Sequence, residues 1–167
     1  MQRQDPYELI LDLVVRRYQP VEGTIRVDRE RFVDKNAAFA VAFDDQTGTP
    51  HRALLGLFQD DDGLWHSTGG SSGAPQVARD TDVWTMSGGW GPPGTDGRAA
   101  VFGGWVADAD AVTARLTDPA GHTLEDRIEE GVAIFLWGED FNVRDARVEL
   151  LDGEDRVTRS ALLFQSD

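Results

Sequence analysis

The sequence contains no cysteine among its 167 residues. Disulfides, thiolate metal sites and cysteine nucleophiles are thereby excluded together. Lysine is almost absent: Lys35 stands alone against fifteen arginines, and thirty acids leave a formal net charge of −14. Such a surface repels phosphate backbones and anionic headgroups, so neither nucleic acid nor membrane is expected as a partner, and a protein partner is expected to be basic if it is charged. The acids are dispersed through turns rather than massed in one block, which fits a solvated surface better than an acidic decoy imitating nucleic acid. No apolar run approaches the ~18–20 residues of a membrane span. The first thirty residues lack the basic start, apolar core and small-residue cleavage site of a signal peptide. A cytoplasmic location is the resulting expectation.

What is present points to a globular chain. The hydrophobic share is 40 % and five residues are tryptophan. The length suits one domain, and a chain of roughly 150 residues buries about 68–70 % of its unfolded surface, enough to need no metal or disulfide staple.

Asp5-Pro6-Tyr7-Glu8 places a capping carboxylate before a proline at the first helical position. Leu9, Ile10, Leu13, Val14 and Tyr18 then recur at helical spacing, so a helix is expected over 5–18, ending at Gln19-Pro20. After it the period changes to two. Strands are expected at Thr24–Asp28, Ala37–Phe43, His51–Gln59 and Leu64–Thr68, a first meander within 22–68. In Ala37–Phe43 the alternation sets Phe39, Val41 and Phe43 on one face and Ala38, Ala40 and Ala42 on the other, and it puts the alanines beneath the helix. A Gly/Pro/Trp-rich region follows at 69–97, with one short strand around Val83–Met86. A second meander over 98–167 then offers strands at 98–106, 111–117, 122–128, 132–137, 143–151 and 156–164. Acidic turns punctuate the runs: Asp44-Asp45-Gln46-Thr47-Gly48, Asp60-Asp61-Asp62-Gly63, Asp108-Ala109-Asp110, Asp118-Pro119-Ala120-Gly121, Glu129-Glu130-Gly131 and Asp152-Gly153-Glu154-Asp155. The expected fold is all-β, a two-sheet antiparallel β-sandwich of about ten or eleven strands with one N-terminal amphipathic helix. In rhythm it resembles bacterial immunoglobulin-like domains, which implies a general architecture and no function.

Motifs that would carry chemistry are incomplete. Gly69-Gly70-Ser71-Ser72-Gly73 spells a nucleophile elbow, but no helix follows the serine. Gly89-Trp90-Gly91-Pro92-Pro93-Gly94 spells a dinucleotide turn, yet two prolines and a strand replace the phosphate-binding helix. His51 and His66 flank the Asp60–Asp62 turn and could be neighbours on paired strands; no third ligand is fixed, and zinc catalysis normally uses three. Asp60–Asp62, with Asp80 and Asp82, lack the calcium-loop spacing. No cofactor and no metal is expected. Trp65, Trp84, Trp105 and Trp137 fall in strand patterns and read as core, whereas Trp90 sits among glycines and prolines.

These observations favour a non-catalytic, soluble protein-interaction module, its surface built from Trp90 and Asp96 in the 69–97 region and from Arg98 directly after it. The alternatives are a carbohydrate- or small-ligand-binding β-sandwich using Trp90 as a stacking platform with Asp96 or Arg98 as polar partners, and a cryptic hydrolase or metalloenzyme around His51, His66 and the Asp60–Asp62 turn. Self-pairing through the N-terminal helix or a sheet edge is the route the pattern leaves open to a homodimer.

Overall fold

The first regular element is set by its cap. Asp5 accepts the Tyr7 amide at 2.9 Å, Pro6 opens the helix, and Arg16 and Arg17 lie in its last turn, where cations suit the helix dipole. Helix α1 (Pro6–Tyr18) ends where Gln19 turns left-handed at φ 47° and donates to Val15 O. The computed structural model describes residues 5–73, 85–90, 100–137, 141–142 and 145–162, with the backbone alone for 68–73, 85–90 and 100.

Eleven strands follow among the described residues: β1 (Arg26–Val33), β2 (Asn36–Asp44), β3 (Pro50–Gln59), β4 (Trp65–Gly73), β5 (Thr85–Trp90), β6 (Ala100–Trp105), β7 (Thr113–Thr117), β8 (Thr123–Arg127), β9 (Val132–Trp137), β10 (Arg147–Leu151) and β11 (Val157–Leu162). All pair antiparallel. The chain is therefore mostly β, with the strands of the second meander where alternation placed them. Three sheets are hydrogen-bonded among the described residues, in the orders β1-β2-β3-β4, β11-β10-β7-β8 and β5-β6-β9, where two are expected from the rhythm. Two other expectations also need correction. The first strand extends well past Asp28 to Val33, and Gly69–Gly73, expected to open a loop, continues β4 along β3.

The faces of β2 decide how the layers stack. Phe39, Val41 and Phe43 pack with Ile10 and Val14 of α1 and with Ala53, Leu55 and Leu57 of β3. Ala38 and Ala40 pack with Leu54, Val101, Val132 and Ile134. The alanines thus face the β5-β6-β9 sheet and the bulky side chains meet the helix, the reverse of the sequence expectation. The physical reason is volume: the small alanines leave room for Val101, Val132 and Ile134 of the facing sheet, whereas beneath the helix Phe39, Val41 and Phe43 themselves fill the space. Each fully buried Ile10 or Val14 contributes about 1.5–3 kcal/mol to holding the helix down.

Strand β9 is buried on both faces. Val132 and Ile134 point to the alanine side, while Ala133 and Phe135 join Phe102, Ala114, Leu116, Val148 and Leu150 in a second core shared with β7 and β10. A strand buried on both faces reads as a continuous apolar run, which is what Val132-Ala133-Ile134-Phe135-Leu136 is.

Charged side chains close the free edge of β9. One edge pairs with β6. On the other, Val132 O accepts from Arg29 Nη1 at 2.7 Å, Ile134 O accepts from Arg31 Nη1, and the Ile134 amide donates to Asp126 Oδ2 at 2.7 Å. Asp126 also takes the Arg29 fork at 2.5 and 2.9 Å and Arg31 Nη1 at 3.0 Å. The side chains of Arg29 and Asp126 are only 8 % and 4 % exposed. Because Arg29 and Arg31 come from β1, Asp126 from β8 and the accepting backbone from β9, this one network ties all three sheets together. A second tie lies alongside: the Trp105 indole N–H donates to Asp28 Oδ2 at 2.9 Å, and the Arg52 guanidinium lies 5.1 Å from the Trp105 ring centre.

Candidate functional site: an aromatic roof among acidic turns

Two turns meet at one end of the β1-β2-β3-β4 sheet. The β1–β2 hairpin reverses at Asp34-Lys35, with Asp34 left-handed at φ 53°, a region that aspartate tolerates better than most residues. The β3–β4 hairpin reverses at Asp60–Gly63. The Gln59 amide donates to Lys35 O at 2.7 Å and Lys35 Nζ donates to Asp61 Oδ1 at 2.6 Å, so the turns lie side by side. Asp60 accepts the Leu64 amide at 2.8 Å and bonds His66 Nε2 at 2.6 Å; the histidine bond first, then the amide, hold its carboxyl below the usual carboxylate range.

Helix α1 starts over this end. Tyr7, in its first turn, meets the Phe39 ring edge-on at 6.4 Å, while Tyr18, in its last, stacks on Phe43 at 5.1 Å. At the turns the sheet face is covered by rings. Phe32 from β1 and Trp65 from β4 meet at 6.0 Å with planes at 74°, although these are the two outer strands, and Phe32 meets Phe39 at 5.8 Å and 82°. Phe39 is fully buried and forms a fixed floor, whereas Phe32 and Tyr7 are 48 % and 42 % exposed. Leu64, beside Trp65, is exposed as well. The elements that carry the rings also carry exposed carboxylates: Glu30 on the Phe32 face of β1, Asp34 in one turn, Asp61 and Asp62 in the other, and Asp5 and Glu8 at the start of the helix. Lys35, held by Asp61, is the basic group among them.

The structure brings together side chains that the sequence did not group. Phe32 fell outside the expected first strand and Trp65 read as core; the available signal was an aromatic at a solvent position in the charged run Arg29-Glu30-Arg31-Phe32. Of the sequence-derived candidates, Trp90 ends β5 opposite Ala100, and its side chain, together with Asp96 and Arg98, lies outside the described residues. Trp84, Asp80 and Asp82 lie outside them too.

His51 and His66 are not neighbours. His51 pairs across from Phe43 and His66 across from Phe58, seven residues further along β3, which is about 23 Å of strand. Each belongs to its own turn: His51 Nε2 bonds Asp45 Oδ2 at 2.8 Å, and His66 bonds Asp60. The shared site expected from the Asp60–Gly63 turn fails because the two histidines sit at opposite ends of β3. Among the described residues no three His, Asp or Glu side chains are grouped to hold a metal ion. The Gly69–Gly73 string is extended backbone paired to β3, with Ser71 opposite Leu54, and does not form the turn a nucleophile elbow requires. No described helix is long and apolar enough to cross a membrane.

Comparison with protein families, with curated proteins and with solved structures finds no match for this chain. The residues themselves must carry the functional reading.

Proposed function

We propose that the chain is a non-catalytic binding module that engages a protein partner through the surface of Tyr7, Phe32 and Trp65. The observation that carries this reading is the exposure of Phe32 and Tyr7 around the buried Phe39 ring, with Trp65 beside them. Aromatic side chains are enriched in the cores of protein interfaces, where they bury large area at little cost in side-chain entropy. A floor of packed core also keeps the rings in place before a partner arrives, which lowers the ordering cost of binding.

The sandwich reading, immunoglobulin-like in general architecture, belongs to the same proposal, as do the single-domain boundaries and a cytoplasmic setting. Support for the sandwich is the core that Phe102 and Phe135 share with Leu116, Val148 and Leu150 across two sheets.

Site-specific photo-crosslinking in the native host tests the binding reading. With a photo-reactive amino acid replacing Phe32, a discrete protein adduct is expected that is missing when the same group replaces Val157 or Leu162, which are equally exposed but lie on β11. No adduct from position 32, or the same adducts from all three positions, would overturn the proposal.

A further inference from the structure

We infer that the occupant of the Tyr7–Phe32–Trp65 surface is a basic segment of the partner, a Lys- or Arg-bearing peptide whose cation lies against the Phe32 and Trp65 rings, on elements that also carry exposed carboxylates. This inference rests on the interaction-module reading and adds the chemistry of the partner to it.

Shape supports it first. The rings of Phe32 and Trp65 stand at 74°, and those of Phe32 and Phe39 at 82°. Rings set on edge to one another make a corner rather than a flat platform. A slender alkyl stem with a cationic tip fits a corner and places its charge against an aromatic face. Within this same chain Arg52 already lies over Trp105 at 5.1 Å and Arg17 over Tyr18 at 5.5 Å.

Charge supports it independently. Asp5, Glu8, Glu30, Asp34, Asp61 and Asp62 are exposed on the elements that frame the rings, in a chain of net charge −14. An acidic partner would bring like charges into contact, and an apolar one would strip water from carboxylates without pairing them. The cation already present, Lys35, is satisfied by Asp61, and among the described residues no cation pairs with Glu30 or Asp34, on either side of Phe32 in sequence. The exposed acids also steer a basic segment toward the rings, an attraction that salt weakens.

The test uses fluorescein-labelled octapeptides of alternating glycine with arginine, lysine or glutamine, followed by fluorescence anisotropy against the full chain at about 20 and about 150 mM salt. The arginine and lysine peptides should bind, more weakly at the higher salt, and the glutamine peptide should not. Phe32→Ala should weaken binding about three- to tenfold, and Asp34→Asn, which keeps a residue suited to φ 53°, about two- to threefold. Glu154→Gln, on the distant β10–β11 turn, should leave affinity unchanged. If Phe32→Ala does not fold, Phe32→Leu keeps apolar volume, removes the ring face and should weaken binding in the same direction. Equal binding of the glutamine peptide would overturn the inference. So would wild-type affinity in the folded Phe32 variant, since attraction to a generally acidic surface would then account for the binding. A specific crosslink from position 32 together with no peptide binding would refute the basic occupant and leave the interaction reading standing; loss of both would refute both.

Discussion

At Gly103 a hydrogen in place of a side chain sets the distance between β6 and β9. A Cβ there would lie 2.2 Å from Ala133 O and 3.0 Å from Ile134 Cα, both backbone atoms that no rotamer change can move. Gly103→Ala must therefore spread the two strands, and overpacking of this kind costs about 2–3 kcal/mol. Urea denaturation measures it; a loss below about 0.5 kcal/mol would show that the glycine does not set the spacing. The repeated Gly-Gly-Trp at 88–90 and 103–105 is visible in the sequence, and glycines beside an indole suggest a close approach by something flat or by another backbone. The register supplies the answer at Gly103, where the approaching group is the backbone of β9. That pairing spans about thirty residues of sequence and has no local signature, so the glycine could be noticed but not explained from sequence alone.

At the scale of elements, one turn design recurs. In Asp45–Thr49, Asp60–Leu64, Asp118–His122 and Asp152–Arg156 the amide of the first residue donates to the carbonyl of the fifth, its carbonyl accepts the amide of the fourth, and its carboxylate accepts the amide of the fifth. This is a three-residue hairpin loop, a type I turn followed by a left-handed residue. That residue is Gly48, Gly63 or Gly121 in three cases and Asp155 at φ 59° in the fourth. Asp155→Gly removes the strain of a side chain in the left-handed region without disturbing a bond, and should stabilise the protein by about 0.5–1 kcal/mol in urea; a destabilised variant would contradict this account of the turn. The carboxylates also make the design sensitive to acid. Bonds from Thr47 and His51 hold Asp45 well below the usual range, and amide bonds from Arg156 and Glu154 lower Asp152. Burial pushes Asp118 up, but bonds from the His122 side chain and amide and from the Asn142 amide outweigh it, so this group too is lowered. A carboxyl lowered on folding stabilises the native state above its unfolded pKa of about 3.9, and that contribution is lost as pH falls through the folded value. A variant with Asp45, Asp60, Asp118 and Asp152 all changed to Asn should therefore melt below the parent by a constant margin above about pH 5, and the margin should shrink below about pH 4. A margin that grows on acidification would reverse the sign and refute the assignment. These turns were legible because each places Asp and Gly or Asp three residues apart between alternating runs. Strand β1 was legible only as far as Asp28, because Arg29, Glu30 and Arg31 break the apolar alternation with charge. Arginines spend that charge on the β9 backbone and on Asp126, and only the assembled fold makes it intelligible.

For the whole molecule, the deciding question is whether the buried network of Arg29, Arg31 and Asp126 acts as an ion pair or as an edge strand made of side chains. A buried ion pair can often be exchanged for apolar residues of similar volume at little cost, or with a gain. That outcome is not expected for this network, because the arginines and the aspartate also satisfy Val132 O, Ile134 O and the Ile134 amide. Removing them leaves Ile134 O and the Ile134 amide buried and unpaired, each at about 1–3 kcal/mol, while Val132 O keeps the Glu129 amide at 3.1 Å. Asp126→Ala should cost about 3–5 kcal/mol, since it strands two cations and one amide. The fully apolar triple variant Arg29→Met, Arg31→Met, Asp126→Leu should remain destabilised rather than recover. Hydrogen exchange gives an independent reading: the Ile134 amide, protected in the parent, should exchange much faster in the triple variant, while amides of β2 and β3 beneath the helix change less. A triple variant as stable as the parent would show that the network contributes charge pairing alone. The three sheets would then be held together by apolar contacts alone, those of Ala38, Ala40, Val132 and Ile134 on one face of β9 and of Ala133, Phe135, Leu116 and Val148 on the other.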